Sequence, residues 1–187
     1  MIERLQIQKV RTYIMNHTTF DEIFAIMEAS FPTSELRTYE GQKELLEVPH
    51  YRLITEQNAD GKIIAFIACW EFPGFRFVEH IAVDHSIRGG GIGKKLMTEY
   101  IGKSNKPVLL EVERPLGEIE QRRIGFYERL GFHLNPYDYV QPPLREENAD
   151  LPLLIMTYPN PVDEEEFELY REILYSEVYK VTTPYQS

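Results

Sequence analysis

A single cysteine, Cys69, stands in a chain of 187 residues, so no intramolecular disulfide can form and a small stapled scaffold is excluded. It falls in the apolar run Ile63–Trp70, which reads as core, so the thiol is expected to be buried and inert rather than nucleophilic. Basic residues are also scarce. Twenty Lys and Arg against 30 Asp and Glu leave a net charge of −10, which argues against general nucleic-acid binding and favours a cationic small molecule or basic peptide end as partner. No segment approaches membrane-spanning length, and the opening residues, with Glu3, Arg4 and Lys9, lack the apolar stretch of a signal peptide. The expectation is a cytoplasmic protein that touches neither membrane nor nucleic acid. Internal repeats and low-complexity tracts are missing too. His17, His50, His85 and His133 show no ligand spacing, so no metal site is expected.

What is present is enough chain for one sizeable core, with or without an extension. Hydrophobic periodicity predicts strands at 4–11, 51–57, 62–71, 76–84, 107–113, 132–140 and 152–158, with helices at 19–31, 38–47, 91–103 and 118–130. Asn58-Ala59-Asp60-Gly61 is a hairpin signal between two of the strands. Past residue 158, Asp163 can cap a further helix in which Phe167, Tyr170, Ile173 and Leu174 share a face. That face either docks on its own domain, the simpler reading, or forms a dimer contact.

The most informative segment runs from Phe77 to Gly93, where an apolar strand enters a turn, Arg88-Gly89-Gly90-Gly91-Ile92-Gly93, and Ile92, Leu96 and Tyr100 follow at helical spacing. A helix that starts inside glycines offers free backbone N–H groups to an anion and no Cβ to hold it off. Two familiar phosphate loops fail on spacing. A Walker loop ending at Gly93-Lys94 needs glycine at Arg88 and a hydroxyl residue at Lys95; a dinucleotide fingerprint needs a small residue at Leu96 or Lys94.

Arg-x-x-Gly-x-Gly, Arg88 to Gly93, resembles the coenzyme A pyrophosphate loop of the GCN5-related N-acetyltransferase (GNAT) family. One strand further on, Phe126-Tyr127-Glu128-Arg129-Leu130-Gly131-Phe132 resembles the family's second motif, usually Tyr-Glu-x-Leu-Gly-Phe. The resemblance implies an α+β fold of three layers, a mixed and mostly antiparallel sheet of about seven strands flanked by helices, over residues 1–158, with 159–187 as a helical extension packed on it. It also implies acetyl-CoA as co-substrate, pantetheine pairing with backbone near Ile81, Ala82 and Val83, and pyrophosphate held by the N–H groups of Gly89, Gly90, Gly91, Ile92, Gly93 and Lys94 with Arg88 alongside. The family commonly places its general acid where Tyr127 stands. The asparagine that many members carry seven residues earlier is Glu120 here, which puts any coenzyme contact of that side chain in doubt. Arg122 and Arg123 are alternative phosphate partners, against the plainer reading of solvated helix arginines.

Acetyl transfer to an amine needs a base, because an unperturbed amine of pKa about 10.4 is mostly protonated at neutral pH. Three strand carboxylates qualify: Glu79, the first choice, and Glu111 or Glu113, which share one face of the next strand; water is the remaining option. In a regular strand His80 faces away from Glu79, and a bulge would upset that. The family frames its acceptor pocket with two loops, here 31–37 and 141–152, whose Glu35, Glu146 and Glu147 could attract a cation. The reading is an N-acetyltransferase acting on a primary amine of a small molecule or peptide, as monomer or homodimer. The alternative is a catalytically silent acyl-CoA-binding sensor or scaffold on the same fold.

Overall fold

The computed structural model describes residues 17–87 and 90–182. The strand expected at 4–11, and Arg88 and Gly89 of the glycine turn, lie outside the described residues. Helix α1 (His17–Ser30) is followed by a short turn, α2 (Tyr39–Glu44), and strands β1 (Tyr51–Gln57), β2 (Ile63–Glu71) and β3 (Arg76–Val83). Next come α3 (Ile92–Gly102), β4 (Val108–Glu113), α4 (Glu118–Glu128), β5 (His133–Leu134), β6 (Tyr139–Gln141), β7 (Leu151–Tyr158) and α5 (Glu164–Ile173), which runs into a π-helical turn, Leu174–Val178. Among the described residues no helix is long and apolar enough to cross a membrane.

The strands form one seven-stranded sheet in the order β1-β2-β3-β4-β7-β5, with β6 also paired to β7. All pairings are antiparallel except β3 with β4. The described residues supply seven strands without the one expected at 4–11, because the strand expected at 132–140 is two strands. Pro136 between them has no N–H to give to a ladder, and the buried Asn135 turns its side chain onto the backbone. Its Nδ2 donates to Ile155 O at 3.1 Å and to Thr157 Oγ1 at 3.0 Å, while its Oδ1 accepts from Val162 N at 3.0 Å.

Strand β2 explains the layering. Its β-branched and aromatic residues are buried on both faces, and alternation sends Phe66, Ala68 and Trp70 one way and Ala65, Ile67 and Cys69 the other. The first set packs with Phe20, Ile23 and Met27 of α1 and with Phe167 and Leu174 of the C-terminal segment. The second packs with Leu96, Met97 and Tyr100 of α3 and with Ile124 and Tyr127 of α4. Burial pushes the Cys69 thiol up to about 12, so it is a core side chain with no nucleophilic character at neutral pH. The Asn58–Gly61 turn forms as its residues require: Gly61 has φ 81°, and Asn58 Oδ1 accepts from the N–H groups of Asp60 and Lys62, each at 3.0 Å.

Two features of β3 set up everything downstream. Arg76 at its start is 1% exposed and donates to the carbonyls of Tyr100 (2.6 Å), Ile101 (3.1 Å), Ser104 (3.0 Å) and Lys106 (3.2 Å), closing the C-terminal end of α3. The helix dipole and orphan carbonyls replace the carboxylate that a buried guanidinium normally needs. Farther along, the register with β2 jumps from Ala68↔His80 to Cys69↔Val78, making Glu79 the extra residue of a β-bulge. Parallel pairing of β3 with β4 covers only Arg76↔Val108, Phe77↔Leu109 and Val78↔Leu110. It stops at the bulge, and beyond it the two strands part.

Arg76→Met keeps most of the side-chain volume but orphans the carbonyls at the end of α3. The expected outcome is a loss of about 3 kcal/mol, read as a lower urea midpoint with an unchanged slope of unfolding.

Candidate active site between the parted strands

The opening between β3 and β4 is a cleft of about 390 Å³. One wall is Glu79–Val83, the other Leu110–Glu113, with Arg123 and Tyr127 reaching in from α4 and Phe31 and Glu35 from the chain after α1. Because β3 has lost its neighbour here, the backbone of Ile81, Ala82 and Val83 is left unpaired on its β4 side, which suits an extended ligand that adds to a strand edge.

At the outer end of that wall lies the glycine turn. Gly91 is the N-cap of α3 with φ 65°, and Gly90 has φ 73°, both in the left-handed region. Among the described residues no side chain caps this helix, so the N–H groups of Ile92, Gly93 and Lys94 have no intrahelical acceptor. A Cβ on Gly93 would lie 3.6 Å from Val83 Cγ2, so the turn sits directly against the end of β3. Lys95 is committed to Glu56 (2.6 Å) and Glu99 (3.6 Å), whereas Lys94 is exposed and makes no ion pair among the described residues. The arrangement is an open anion cradle at the mouth of the cleft, and it fits a pyrophosphate.

The three carboxylates singled out in the sequence prove to be in different states. Glu79 forms an ion pair with Arg37 and accepts from Trp70 Nε1 at 3.0 Å, so both oxygens are taken. Burial pushes its pKa up, but the Arg37 charge and hydrogen bond outweigh this and hold the carboxyl below its usual range. Glu111 accepts from Tyr139 Oη at 2.5 Å and from Tyr179 Oη at 2.6 and 2.8 Å, and makes no ion pair among the described residues. Its burial, reinforced by the neighbouring charges of Glu79 and Glu35, outweighs the two hydroxyls and raises the carboxyl to about 7. Glu113, nearer the rim, is paired with Arg123 at 2.5 Å. Glu35 is pushed up from the ordinary carboxylate value by burial and by Glu113, with Arg123 opposing.

The bulge also decides where His80 points. Regular alternation predicts opposite faces for Glu79 and His80, yet Glu79 meets Trp70 and His80 packs edge-on against Phe31, both on the α1 side of the sheet. His80 Nε2 lies 2.8 Å from Glu35 O, a carbonyl that accepts, which assigns the proton to Nε2. Burial holds this imidazole below its usual pKa, with Glu79 opposing, so it is neutral at pH 7.

Tyr127 is 7% exposed, its ring set edge-on against Phe126 and Phe132. Its hydroxyl has no hydrogen-bond partner among the described residues, and burial, opposed by Arg123, pushes it up to about 12. Thus Tyr127, Glu79, Glu111 and Glu113 are brought to one cleft, with the turn from Gly90 to Lys94 at its mouth. Glu146 and Glu147 are exposed and do not line it. Arg122 is paired with Glu118 on the surface at 3.2 Å, and Glu120 folds over Gly117, where a Cβ would meet its Oε2 at 2.5 Å. Arg37, Trp70, Tyr139 and Tyr179 carry no local sequence signal; each matters only through a partner on another element, 42, 9, 28 and 68 positions away.

Comparison with known proteins agrees with this geometry. The family profile of the acetyltransferase (GNAT) domain matches residues 49–134. A solved structure described as an acetyltransferase of the GNAT family from Bacteroides thetaiotaomicron is 34% identical, covers 88% of this chain and 94% of its own, and superposes with a TM-score of 0.82. The ribosomal-protein-S18-alanine N-acetyltransferase of Escherichia coli shares the fold at 21% identity, with 81% and 94% coverage and a TM-score of 0.56. A spermidine N-acetyltransferase chimera from Vibrio cholerae does so at 12% identity, with 76% and 92% coverage and a TM-score of 0.56. No curated protein matches the sequence. The chain belongs to the GNAT family of acetyltransferases, which generally use acetyl-CoA as co-substrate.

A carboxyl held at about 7 in the fold, against an ordinary value of 4.5, has a direct effect on stability. The folded state binds this proton more tightly than the unfolded chain, so the contribution of Glu111 is full below about 4.5 and is lost as pH rises through about 7. Glu111→Gln cannot ionise. Its melting temperature should match wild type near pH 4 and exceed it by a few degrees near pH 8, a difference that differential scanning calorimetry would resolve.

Proposed function

We propose that the protein transfers an acetyl group from acetyl-CoA directly to a primary amine of a small molecule or peptide, within a ternary complex. The observation that carries this reading is the convergence, in one cleft, of an anion cradle, an unpaired tyrosine hydroxyl and a carboxylate poised near neutrality. Acetyl-CoA would supply an acyl group already activated as a thioester. The backbone N–H groups from Gly90 to Lys94 would hold its pyrophosphate, and the unpaired edge at Ile81–Val83 its pantetheine arm.

The base in this reading moves from Glu79 to Glu111. Glu79 has both oxygens occupied and an ion pair that lowers its basicity, whereas a carboxylate of pKa about 7 balances availability against strength at neutral pH. Glu111 takes the ammonium proton and frees the lone pair for attack on the thioester. Tyr127, which lines the cleft, would donate to the departing sulfur. A phenol near 12 is a weaker acid than a thiol of about 8.5, so it stabilises the developing thiolate chiefly as a hydrogen-bond donor. The carboxyls of Glu35 and Glu111, both raised by burial and by neighbouring carboxylates, favour a cationic acceptor. Residues 1–158 form the catalytic domain in this reading and 159–187 an extension packed on it, in a cytoplasmic setting.

Thiol release from acetyl-CoA across a panel of amines tests the activity. Glu111→Gln should lower kcat about 100-fold and Tyr127→Phe about 10-fold, both with little change in KM for acetyl-CoA. Gly91→Asp should weaken coenzyme A binding about tenfold or more in calorimetry, because it sets a negative charge and a strained φ in the cradle. Tight coenzyme binding with no turnover on any amine would instead identify a silent acyl-CoA-binding module.

A further inference from the structure

The base is completed by a part of the chain that lies far beyond the strand carrying it. We propose that Tyr179, delivered by the segment after α5, is a positioning residue that holds the Glu111 carboxylate and sets the pH range over which the enzyme works. This rests on Glu111 being the base.

The segment is fixed at every step. A capping box between Asp163 and Glu166 starts α5, and Phe167 stacks on Tyr137 with centroids 4.7 Å apart. The π-helical turn Leu174–Val178 then buries Leu174, Tyr175 and Val178 against the α1 face of the sheet. Tyr175 Oη donates to Val140 O at 2.6 Å, Arg37 Nη2 donates to Val178 O at 3.1 Å, and Val181 N returns to Tyr175 O at 2.9 Å. These contacts leave Tyr179 9% exposed with its hydroxyl within 2.6 and 2.8 Å of the two oxygens of Glu111. Tyr139, the other hydroxyl on this group, reaches only one oxygen.

The groups facing Glu111 leave Tyr179 a defined task. From β3 come Glu79, neutralised in part by Arg37, and the neutral His80; from the chain after α1 comes Glu35; from β6 Tyr139; from the C-terminal segment Tyr175 and Tyr179. Both neighbouring carboxylates oppose ionisation of Glu111, and the hydroxyls of Tyr139 and Tyr179 are what favour it. A hydroxyl donates to the ionised carboxylate, so removing one raises the pH at which the base becomes available. That donor comes from a segment that the family profile, ending at residue 134, does not include.

The test is the pH dependence of kcat/KM for wild type, Tyr179→Phe, Tyr175→Phe and Glu111→Gln, using acetyl-CoA and the best amine of the panel. Tyr179→Phe should move the acid limb upward by about one pH unit, giving about tenfold lower kcat/KM on the acid side and recovery at high pH. Tyr175→Phe removes the hydrogen bond to Val140 O in the same segment and leaves both tyrosine hydroxyls that donate to Glu111, so it should leave the limb in place while lowering the melting temperature. A Tyr179→Phe profile that superimposes on wild type, while Glu111→Gln abolishes the acid limb, overturns the role of Tyr179 alone. An unchanged limb in Glu111→Gln overturns the base assignment instead. Carbon-13 NMR titration of the Glu111 carboxyl in the free protein gives the same answer without turnover: an upward shift in Tyr179→Phe supports the proposal, and no shift refutes it.

Discussion

One extra residue in β3 governs the architecture of the site. With Glu79 inserted into the ladder, β3 bends away from β4 after three parallel pairs, and the two strands never meet again. The sheet stays continuous because β3 keeps β2 and β4 keeps β7. Its middle is nevertheless open, and that opening supplies a strand edge, a floor of carboxylates and room for Tyr127. A fully paired sheet of the same composition would have no cleft here.

The same residue type serves two ends within that opening. Glu79 is matched by Arg37 and Trp70, and its charge is settled; it anchors the loop before α2 to the bulge. Glu111, one strand away, is surrounded by neutral hydroxyls and other carboxylates, and its charge is balanced near neutrality. What separates them is the partner, since both are buried. A buried carboxylate with a guanidinium is structural by energetics, and one without remains free to take a proton. The stability that Glu111 gives up above its pKa is a trade typical of functional sites.

Helix α3 shows a related division between its ends. The C-terminal end is closed by Arg76, which satisfies carbonyls from four residues. The N-terminal end carries left-handed glycines in place of a capping side chain. Fixing one end while leaving the other chemically hungry turns the helix into a rigid mount for an anion.

Much of this was legible in residue order. Residue order located strands β1 to β4 and helices α3 and α4 within a residue or two, because apolar and β-branched runs mark the strands and breakers such as Pro107, Pro115, Gly117 and Gly131 bound the elements. The glycine turn and the Tyr127 motif marked the site because they are local: φ beyond the reach of other residues and a helix end are encoded where they occur. Other features were not legible. The break at Asn135 depends on side-chain bonds to β7, and the shared orientation of Glu79 and His80 depends on a bulge defined only against β2. The contrast between Glu79 and Glu111 depends on Arg37, Tyr139 and Tyr179, which lie 42, 28 and 68 positions away from their carboxylates. Sequence alone therefore determined the elements, the cradle and the family resemblance, since those follow from short-range backbone and burial preferences. Tertiary structure alone decided which carboxylate is neutralised and which is poised, because a pKa belongs to the set of charges and hydroxyls that folding gathers around a group.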